Sequence, residues 1–338
     1  MRSVVVGCGA MSRVWAEAAH ALGGVELVGL VDLDIACAHA FAVKHAPGAA
    51  TGTDLAAILK ATDPEIVFDV VIPQARHSVV AQALDAGCHV LSEKPMAETL
   101  ADAKDLIARA EAAGRVHAVI QNRRYLANVR RIRHLIESQE LGPVTSLHCE
   151  FFLAPHFGGF REQMSHVLLL DMAIHTFDVA RYFAGGRPEA VYCREWEPAN
   201  SWYRQGAGAA AIFEFPSGVV FDYRGSWCAD GLMTSWEGVW RIVCAHGSIT
   251  WDGKDDVAAA RTTGRRDGLF DASEPVEVPP LGDDDRIGGH LGVMRDFLAA
   301  VRGGPPPETV GSDNILSLAM ALGAIESAER GGRVPITI

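Results

Sequence analysis

The sequence predicts an α/β domain followed by an α+β domain, and two observations support this prediction. In residues 1–121, short apolar runs alternate with alanine-rich stretches of helical spacing, which is typical of a doubly wound parallel sheet. From about residue 144 the runs become longer and rich in β-branched and aromatic residues, which predicts a large, mostly antiparallel sheet. A length of 338 residues accommodates two domains of ordinary size. We therefore expect domain boundaries at 1–121 and 122–338.

The first domain is predicted to contain strands buried on both faces, because its apolar runs are short and nearly continuous. The predicted strands are Val4–Val6, Leu27–Val31, Ile66–Ile72, His89–Leu91 and Val116–Ile120. The predicted helices are one that starts at Met11, then Ile35–His45, Leu55–Ala61, Ser78–Ala86 and Leu100–Ala113, the last stopped by Gly114.

The second domain is predicted to combine a sheet with flanking helices. Its predicted strands are Val144–Leu153, Ala190–Glu195, Gly208–Phe215, Val219–Trp227 and Trp240–Trp251, with Pro216-Ser217-Gly218 as a hairpin turn. Its predicted helices are Asn128–Ser138, Leu168–Phe183, Arg286–Val301 and Ser312–Ala328, so the C-terminal helices occupy about 286–330. The acidic stretch Asp283–Asp285 is expected to be exposed.

Charge and composition exclude several classes of partner. The formal net charge of −12 opposes binding to nucleic acid or to an anionic membrane surface. No apolar run approaches the roughly 18 residues that a membrane span needs. Because the first strand begins at Ser3, we expect no signal peptide and a cytoplasmic location. The seven cysteines include no CxxC pair, so we interpret them as small buried side chains in a reducing compartment, with no metal site.

The first strand is followed by a glycine turn with the features of a dinucleotide-binding site. Gly7 permits a tight turn, and Gly9 allows the backbone to approach a pyrophosphate. Ala10 and Met11 lead from the turn into the helix, whose N-terminus favours negative charge. Ser12 replaces the third glycine of the motif and is small enough for close packing of the helix on the strand. The alternative is an ordinary tight turn.

Asp32 stands about twenty residues further on, at the end of the second predicted strand. A carboxylate at this position accepts hydrogen bonds from an adenosine ribose. It also repels a 2′-phosphate, and the next residues, Leu33 and Asp34, supply no arginine to neutralise one. We therefore expect NAD as the cofactor, with NADP as the second candidate.

Two further groups of residues have the chemistry of a catalytic site. Lys94, in Glu93-Lys94-Pro95, follows a predicted parallel strand and so lies at the edge where doubly wound sheets bind ligands. Asp171, His175 and Asp178 are spaced to share one face of a predicted helix. A polar triplet on an apolar helix indicates acid–base chemistry, a satisfied structural network or a metal site. No third metal ligand occurs at a recognised spacing.

These segments resemble one known family. The chain is similar in the order and spacing of its motifs to the Gfo/Idh/MocA oxidoreductases, the group of glucose-fructose oxidoreductase and inositol dehydrogenase. The motifs are Gly7–Ser12, Asp32, Pro73–His77, Glu93–Pro95 and Asp171–Asp178. The resemblance implies a Rossmann domain, and a second domain on an open sheet whose exposed face forms homodimers or homotetramers. It also implies that Lys94, Asp171 and His175 form the reactive set, and that Pro73, His77 and Glu93 belong with Lys94 to the cofactor site.

The chain departs from the family pattern at three places. Gln74 replaces a common asparagine, Ser165-His166-Val167 replaces a common run of three glycines, and Ala173 replaces a common glycine. The first departure concerns the contact near the nicotinamide. From the second and third we expect a substrate pocket that differs from those of the sugar dehydrogenases. The candidate substrate residues are Asn122, Arg123, Tyr125, His156, Arg161, His166 and Trp202, each of which is also explicable as an ordinary surface or core residue.

The predicted activity is hydride transfer between a nicotinamide cofactor and a hydroxyl of a sugar, cyclic polyol or sugar-derived acid; the substrate class follows from the resemblance alone. His175 is the expected general base, Asp171 orients it or binds a neighbouring hydroxyl, and Lys94 stabilises charge on the reacting oxygen. Two alternatives remain: an NAD-dependent glycosidase that uses transient oxidation, and a dinucleotide-binding sensor that acts through a partner.

Overall fold

The computed structural model describes residues 1–282 and 286–338, so the predicted exposure of Asp283–Asp285 lies outside the described residues. The chain divides into two compact units. The first comprises Met1–Tyr125 and Arg286–Leu318. The second comprises the described part of Leu126–Asp285 together with Ala319–Ile338. Residues 286–318, which the sequence analysis assigns to the second domain, thus group with the first unit by their contacts.

The first unit is built on a six-stranded parallel sheet, as the sequence predicts. Its strands are β1 (Arg2–Val6), β2 (Glu26–Val31), β3 (Ala50–Gly52), β4 (Ile66–Asp69), β5 (His89–Ser92) and β6 (His117–Val119). The spatial order is β3-β2-β1-β4-β5-β6, and every neighbouring pair is parallel. The order reverses between β1 and β4, which is the position where doubly wound sheets bind ligands.

Helices cover both faces of this sheet. They are α1 (Ala10–Leu22), α2 (Ile35–His45), α3 (Leu55–Thr62), α4 (Pro73–Asp85) and α5 (Leu100–Ala113). Successive residues of a strand face opposite sides, so Val5 and Phe68 pack in one apolar cluster while Val4 and Val67 pack in another. Because the sheet is buried on both faces, the sequences of its strands are continuous apolar runs.

Two predicted boundaries in this unit were wrong by three residues or more, and β3 was not predicted. The predicted strand Ile66–Ile72 ends at Asp69, and α4 begins at Pro73 rather than at Ser78. Proline suits the first position of a helix, where the missing N–H has no intrahelical partner in any case, so Pro73 starts the helix instead of preceding it.

The second unit contains a nine-stranded sheet, which confirms the predicted fold class. Its strands are β7 (Val144–Phe152), β8 (Ala190–Trp196), β9 (Gly208–Glu214), β10 (Val220–Ser226), β11 (Val239–Cys244), β12 (Gly247–Trp251), β13 (Val257–Asp267), β14 (Phe270–Val276) and β15 (Val334–Pro335). The order is β14-β13-β12-β11-β7-β10-β9-β8-β15, and only the β7–β10 pair is parallel. The predicted strand Trp240–Trp251 is in fact the hairpin β11–β12, turning at residues 245–246, and β13, β14 and β15 were not predicted.

Helices α6 (Ala127–Glu137) and α7 (Ile174–Ala184) belong to the second unit, and α7 packs on one face of the sheet. The ring of Phe177 on α7 meets those of Phe213, Phe221 and Tyr223 with centroid distances of 4.7, 6.3 and 5.2 Å. The opposite face carries charged side chains such as Glu150 and Arg224, around a groove of about 610 Å³. The predicted assembly through this face remains a prediction.

The predicted helix Leu168–Phe183 is not uniform. Residues Leu168–Ala173 form a π-helical turn, which passes directly into α7. A π turn holds an extra residue relative to an α-helix, so the simple four-residue spacing does not apply from Asp171 to His175.

Two helices, α8 (His290–Val301) and α9 (Gly311–Arg330), follow in the chain. The first eight residues of α9 belong to the first unit and the remainder to the second. In the described part of the chain, no helix combines the length and apolarity of a membrane span. Six of the seven cysteines are buried, but Cys37 is exposed on α2, so interpreting all seven as buried was wrong.

Candidate functional site

The turn between β1 and α1 can accept only glycine at its first position. Gly7 has φ +89°, and a Cβ there would lie 2.6 Å from the carbonyl oxygen of Val70. Its N–H donates to the carbonyl of Val31 at 2.8 Å, and the hydroxyl of the buried Ser12 donates to its carbonyl oxygen. These contacts fix the turn at the reversal of strand order in the sheet.

The N-terminus of α1 is open toward solvent. Gly9 is the N-cap residue, and no side chain caps the helix. A Cβ on Gly9 would meet nothing within 4 Å, while Ala10 is the first helical residue and Met11 is exposed. The first-turn N–H groups of this helix of 13 residues are therefore available to an anion, and the helix dipole favours one.

Asp32 is held by two backbone donors. Its Oδ2 accepts from the N–H of Cys8 at 2.8 Å, and its Oδ1 accepts from the N–H of Asp34 at 2.9 Å. Each oxygen keeps a further lone pair. The carboxylate is thus oriented at the end of β2 and still able to accept hydrogen bonds from a ligand.

A cavity of about 630 Å³ in the first unit joins these features. Gly7, Gly9 and Asp32, which the sequence analysis assigns to the cofactor site, all line it. Ala75, within the Pro73–His77 motif, also lines it. The remaining lining residues lie outside the motifs: Val6, Val31, Leu33, Thr53, Asp54, Leu55, Val70, Val71, Ile72, Ser78, Val79 and Gln82. What they share is position in the fold, because they lie at or just after the carboxyl ends of β1 to β4, or on α4.

Pro73 and His77, which the sequence analysis assigns to the cofactor site, lie on α4 but do not line this cavity. The Nε2 of His77 is 2.8 Å from the carboxylate of Asp105 on α5, and both side chains are more than one-third exposed. Asp105 also accepts from Arg109, which holds the pKa of this carboxyl below its ordinary value, with His77 contributing. His77 therefore links α4 to α5 at the surface.

The segment after β5 carries Glu93 and Lys94. The indole Nε1 of Trp15 on α1 donates to Glu93 Oε1 at 3.0 Å, and the N–H of Lys94 lies 3.2 Å from Glu93 Oε2. A buried glutamate with an indole partner is a fixed element of the structure. Glu93 therefore anchors the backbone directly before Lys94.

His290, at the start of α8, was missed by the sequence analysis. Its Nδ1 lies 3.3 Å from the amide nitrogen of Asn122, one of the candidate substrate residues. Burial lowers the pKa of His290, nearby Glu93 opposes this shift and nearby Lys94 reinforces it. Asn122, His290, Glu93 and Lys94 therefore form one neighbourhood. The only signal in the sequence is that His290 follows a Gly-Gly pair and begins a helix.

Two other candidate substrate residues in this unit are buried. The side chain of Tyr125 is fully buried, and its hydroxyl donates to Asp296 on α8 at 2.7 Å. Arg286 donates to the same carboxylate at 2.7 Å. Arg123 is also buried in the turn that precedes α6. Tyr125 thus anchors α8 and presents no surface to a substrate.

In the second unit, Asp171 and Arg161 form an ion pair. The Nε of Arg161 donates to Asp171 Oδ2 at 2.8 Å, with the carboxylate nearly buried. His175 follows on the first turn of α7 and is also buried. Asp178 is paired instead with Arg181 at 3.3 Å on the same helix. Asp171, His175 and Asp178 thus lie on one continuous helical segment, with Arg161 bonded to the first and Arg181 to the last.

Aromatic rings flank Arg161. Its guanidinium lies 5.0 Å from the ring centroid of Phe157 and 4.9 Å from that of Phe160, and both rings are exposed. Nearby in the sequence, His156 stacks on Trp202 with a centroid distance of 3.7 Å. Exposed aromatic side chains beside a charged pair suit the binding of a ring-shaped polar ligand.

His166 is engaged in a charged cluster of its own. Its Nδ1 is 2.6 Å from Glu195 and its Nε2 is 3.7 Å from Glu329, and the hydrogen bond to Glu195 raises the pKa of the imidazole. The backbone has φ +54°, in the left-handed region that favours glycine. Among the described residues, no group of three or more His, Cys, Asp and Glu side chains has the arrangement of a metal site.

Comparison with known proteins agrees with this geometry. Residues 1–121 match the family model described as "Oxidoreductase family, NAD-binding Rossmann fold", and residues 129–250 match the "GFO/IDH/MocA C-terminal domain".

Among curated relatives, the 1,5-anhydro-D-fructose reductase of Ensifer adhaerens is 22% identical, over 97% of this chain and 96% of its own length. The D-apiose dehydrogenase of Paraburkholderia graminis is 25% identical, over 99% of this chain and 89% of its own length. Among solved structures, an Agrobacterium radiobacter oxidoreductase in complex with NAD⁺, L-tartaric acid and magnesium superposes with a TM-score of 0.85. Its sequence is 19% identical, and the superposition covers 99% of this chain and 98% of the other.

The two family models match successive parts of the chain, the first over the glycine turn and Lys94, the second over Asp171 and His175. Together with the six-stranded parallel sheet and the nine-stranded sheet, they establish that this chain belongs to the Gfo/Idh/MocA family of oxidoreductases and carries its NAD-binding Rossmann domain.

Proposed function

We propose that the protein is an NAD-dependent dehydrogenase that transfers hydride between the cofactor and a hydroxyl-bearing carbon of a sugar, cyclic polyol or sugar-derived acid. The observation that carries the proposal is the buried Asp171 carboxylate, which Arg161 orients at 2.8 Å on the helical segment that also carries His175. A protein that only sensed the dinucleotide would need the first unit alone, without a buried acid and imidazole in the second.

NAD fits the residues of the first unit. The uncapped N-terminus of α1 and the open space above Gly9 suit a pyrophosphate, and the oriented carboxylate of Asp32 suits an adenosine ribose. Asp54 adds a second carboxylate to the cavity lining, which contains no lysine or arginine. Two acidic groups without a basic partner disfavour the 2′-phosphate of NADP, so we propose NAD as the preferred cofactor.

Bound NAD supplies the hydride acceptor. His175 accepts the hydroxyl proton of the substrate, because an imidazole exchanges protons near neutral pH. Asp171, held by Arg161, orients that imidazole or binds a neighbouring hydroxyl. Lys94 donates a hydrogen bond to the reacting oxygen and stabilises the charge that develops there, a contribution of a few kcal/mol by analogy with oxyanion donors.

The named relatives support the proposed substrate class. One is a reductase of an anhydro sugar and one is a dehydrogenase of a branched pentose. The structure with tartaric acid supports a hydroxy acid as a further member of the class.

The test is a panel of sugars, inositols and sugar acids with NAD and NADP, in which reduced nicotinamide and carbohydrate products are followed together. We expect one or more substrates to yield reduced NAD and an oxidised product in equal amounts. Release of a sugar leaving group without net reduced cofactor would establish the glycosidase alternative instead. Tight NAD binding without turnover of any substrate would favour the sensor.

Two variants, each with a matched control, test the proposed roles of Lys94 and His175. Lys94→Ala and His175→Ala are expected to lower turnover severely while leaving NAD affinity nearly unchanged. The controls are Lys104→Ala on α5 and His246→Ala in the β11–β12 turn, both exposed. Wild-type turnover in either site variant would remove that residue from the mechanism.

A further inference from the structure

Arg76, on α4, makes a buried ion pair at the end of β4. Its Nε donates to Asp69 Oδ2 at 2.8 Å; the side chain of Arg76 is 1% exposed and that of Asp69 is 0% exposed. Burial raises the pKa of the Asp69 carboxyl, and the charge of Arg76 opposes that shift. Neither residue lines the cofactor cavity.

The same guanidinium reaches two backbone carbonyls that belong to different parts of the site. One terminal amino group, Nη1, donates to the carbonyl oxygen of Pro95 at 2.6 Å, directly after Lys94. The other, Nη2, donates to the carbonyl oxygen of Val71, which lines the cofactor cavity. One side chain therefore joins β4, the wall of that cavity and the segment that carries Lys94.

A second buried residue continues this network on β5. Ser92 hydrogen-bonds to Asp69, and its hydroxyl lies 3.0 Å from Nε2 of His117 on β6. Ser92 is two residues before Lys94, so the Lys94 segment is held on its N-terminal side through Ser92 and on its C-terminal side through Pro95.

Stability alone does not account for such a pair. Two buried charges lose much of their hydration, and apolar residues of similar volume often serve a core as well or better. Three acceptors in three directions match the planar fork of an arginine, whereas a lysine ammonium is a compact charge without this fixed geometry. The arrangement therefore indicates a requirement for geometry.

We propose that Arg76 is a positioning residue that fixes the Lys94 segment relative to the cofactor cavity through Asp69, Val71 and Pro95. The kinetic part of this inference rests on the proposed function. Its consequence is that loss of the guanidinium displaces Lys94 without removing any group that touches substrate or cofactor. Small misplacements of reacting groups lower rates by about 100-fold.

The first test is Arg76→Lys, with Arg2→Lys as the matched control. Arg2 also donates two hydrogen bonds to a backbone carbonyl, that of Thr62, but at the opposite end of the sheet. We expect Arg76→Lys to lower kcat by about 10- to 100-fold with a small change in substrate KM. The deuterium isotope effect on kcat should increase, because hydride transfer becomes more rate-limiting. Arg2→Lys should change none of these.

The second test is the double variant Asp69→Leu with Arg76→Met, which replaces the ion pair with apolar side chains and is expected to fold. Retained thermal stability with a reduced kcat supports positioning. A wild-type kcat in this folded variant overturns the proposal, because the segment then needs no guanidinium.

A measurement that needs no turnover tests the role of Arg76 independently of the proposed function. Hydrogen exchange of a peptide spanning residues 90–98 should be faster in Arg76→Lys than in the wild type or in Arg2→Lys, with and without NAD. If no substrate is oxidised by the wild type, the proposed function fails, and this exchange result still decides whether Arg76 holds the segment. Unchanged exchange overturns the proposal.

Discussion

The indole nitrogen of Trp15 donates a hydrogen bond to the carboxylate of Glu93 at 3.0 Å, linking the helix that follows the glycine turn to the segment that carries Lys94. Trp15 is almost fully buried and its ring also packs edge-on against Phe68 at 5.7 Å. The dinucleotide turn and the catalytic lysine candidate are therefore connected through one buried polar contact in the first unit.

Replacing Trp15 with phenylalanine should remove this contact while keeping an aromatic ring. The buried Glu93 carboxylate then loses a donor, and we expect the free energy of unfolding to fall by about 1.5–3 kcal/mol. Urea denaturation measures the change. Trp196→Phe, at an exposed tryptophan, is the control and should have little effect. Equal losses in the two variants would contradict a specific role for the indole.

Asp32→Ala should weaken NAD binding and narrow the preference for NAD over NADP. Loss of hydrogen bonds from the ribose to a charged acceptor corresponds to about 1.5–3 kcal/mol, or about a 10- to 100-fold increase in Kd. Fluorescence titration with both cofactors measures it. Asp34→Ala is the matched control, since Asp34 caps α2 at the N–H of Ala36 and does not line the cavity. Tighter binding of NADP by the wild type would overturn the assignment.

The Arg161–Asp171 ion pair should show strong energetic coupling. Arg161→Gln leaves a nearly buried carboxylate without its cation, and because Arg161 remains 24% exposed we expect a loss of about 1–3 kcal/mol rather than the value for a fully buried pair. A double-mutant cycle with Asp171→Asn, followed by urea denaturation, gives the coupling energy. Additive effects would show that the pair contributes nothing to holding Asp171.

His117 should make stability depend on pH below neutrality. Burial is the main cause that lowers the pKa of this imidazole, to about 4, and Arg76 adds to the shift. Between pH 6.5 and about 4 the unfolded chain binds a proton that the folded chain does not. The stabilisation is therefore fully present above pH 6.5 and is lost as pH falls toward 4, by up to about 1.4 kcal/mol per pH unit.

The variant His117→Asn should flatten that dependence, because it has no group that titrates in the window. Urea denaturation from pH 4.5 to 8 checks the slope, and His246→Asn, at an exposed histidine, should leave it unchanged. An unchanged slope in His117→Asn would assign the acid sensitivity to other groups.

Sequence patterns were most informative where local chemistry determines structure. Gly7 is required by its positive φ and its approach to Val70, and both follow from the position of a glycine between a strand and a helix. The strands of the parallel sheet were predicted because burial on both faces makes them continuously apolar. The β13–β14 pair was missed because most of its residues are exposed, so the sequence has no apolar alternation to detect.

The candidate site was harder to predict because its contacts join distant parts of the chain. His290 lies 168 residues from Asn122, and Arg161 reaches Asp171 from a separate short turn. The spacing of residues along one helix cannot show that His290 contacts Asn122 or that Arg161 contacts Asp171.

The π-helical turn at Leu168–Ala173 makes the length of this segment critical. In an α-helix each residue advances the chain by about 100° around the axis. Deleting one residue between Asp171 and His175 would shorten this turn and change the angle between the two side chains around the helix axis by an amount of that order. Substitutions of its apolar residues alter packing, whereas insertions and deletions also change the direction in which the acid points relative to the imidazole. The apolar residues of this segment can therefore vary more freely than the number of residues in it.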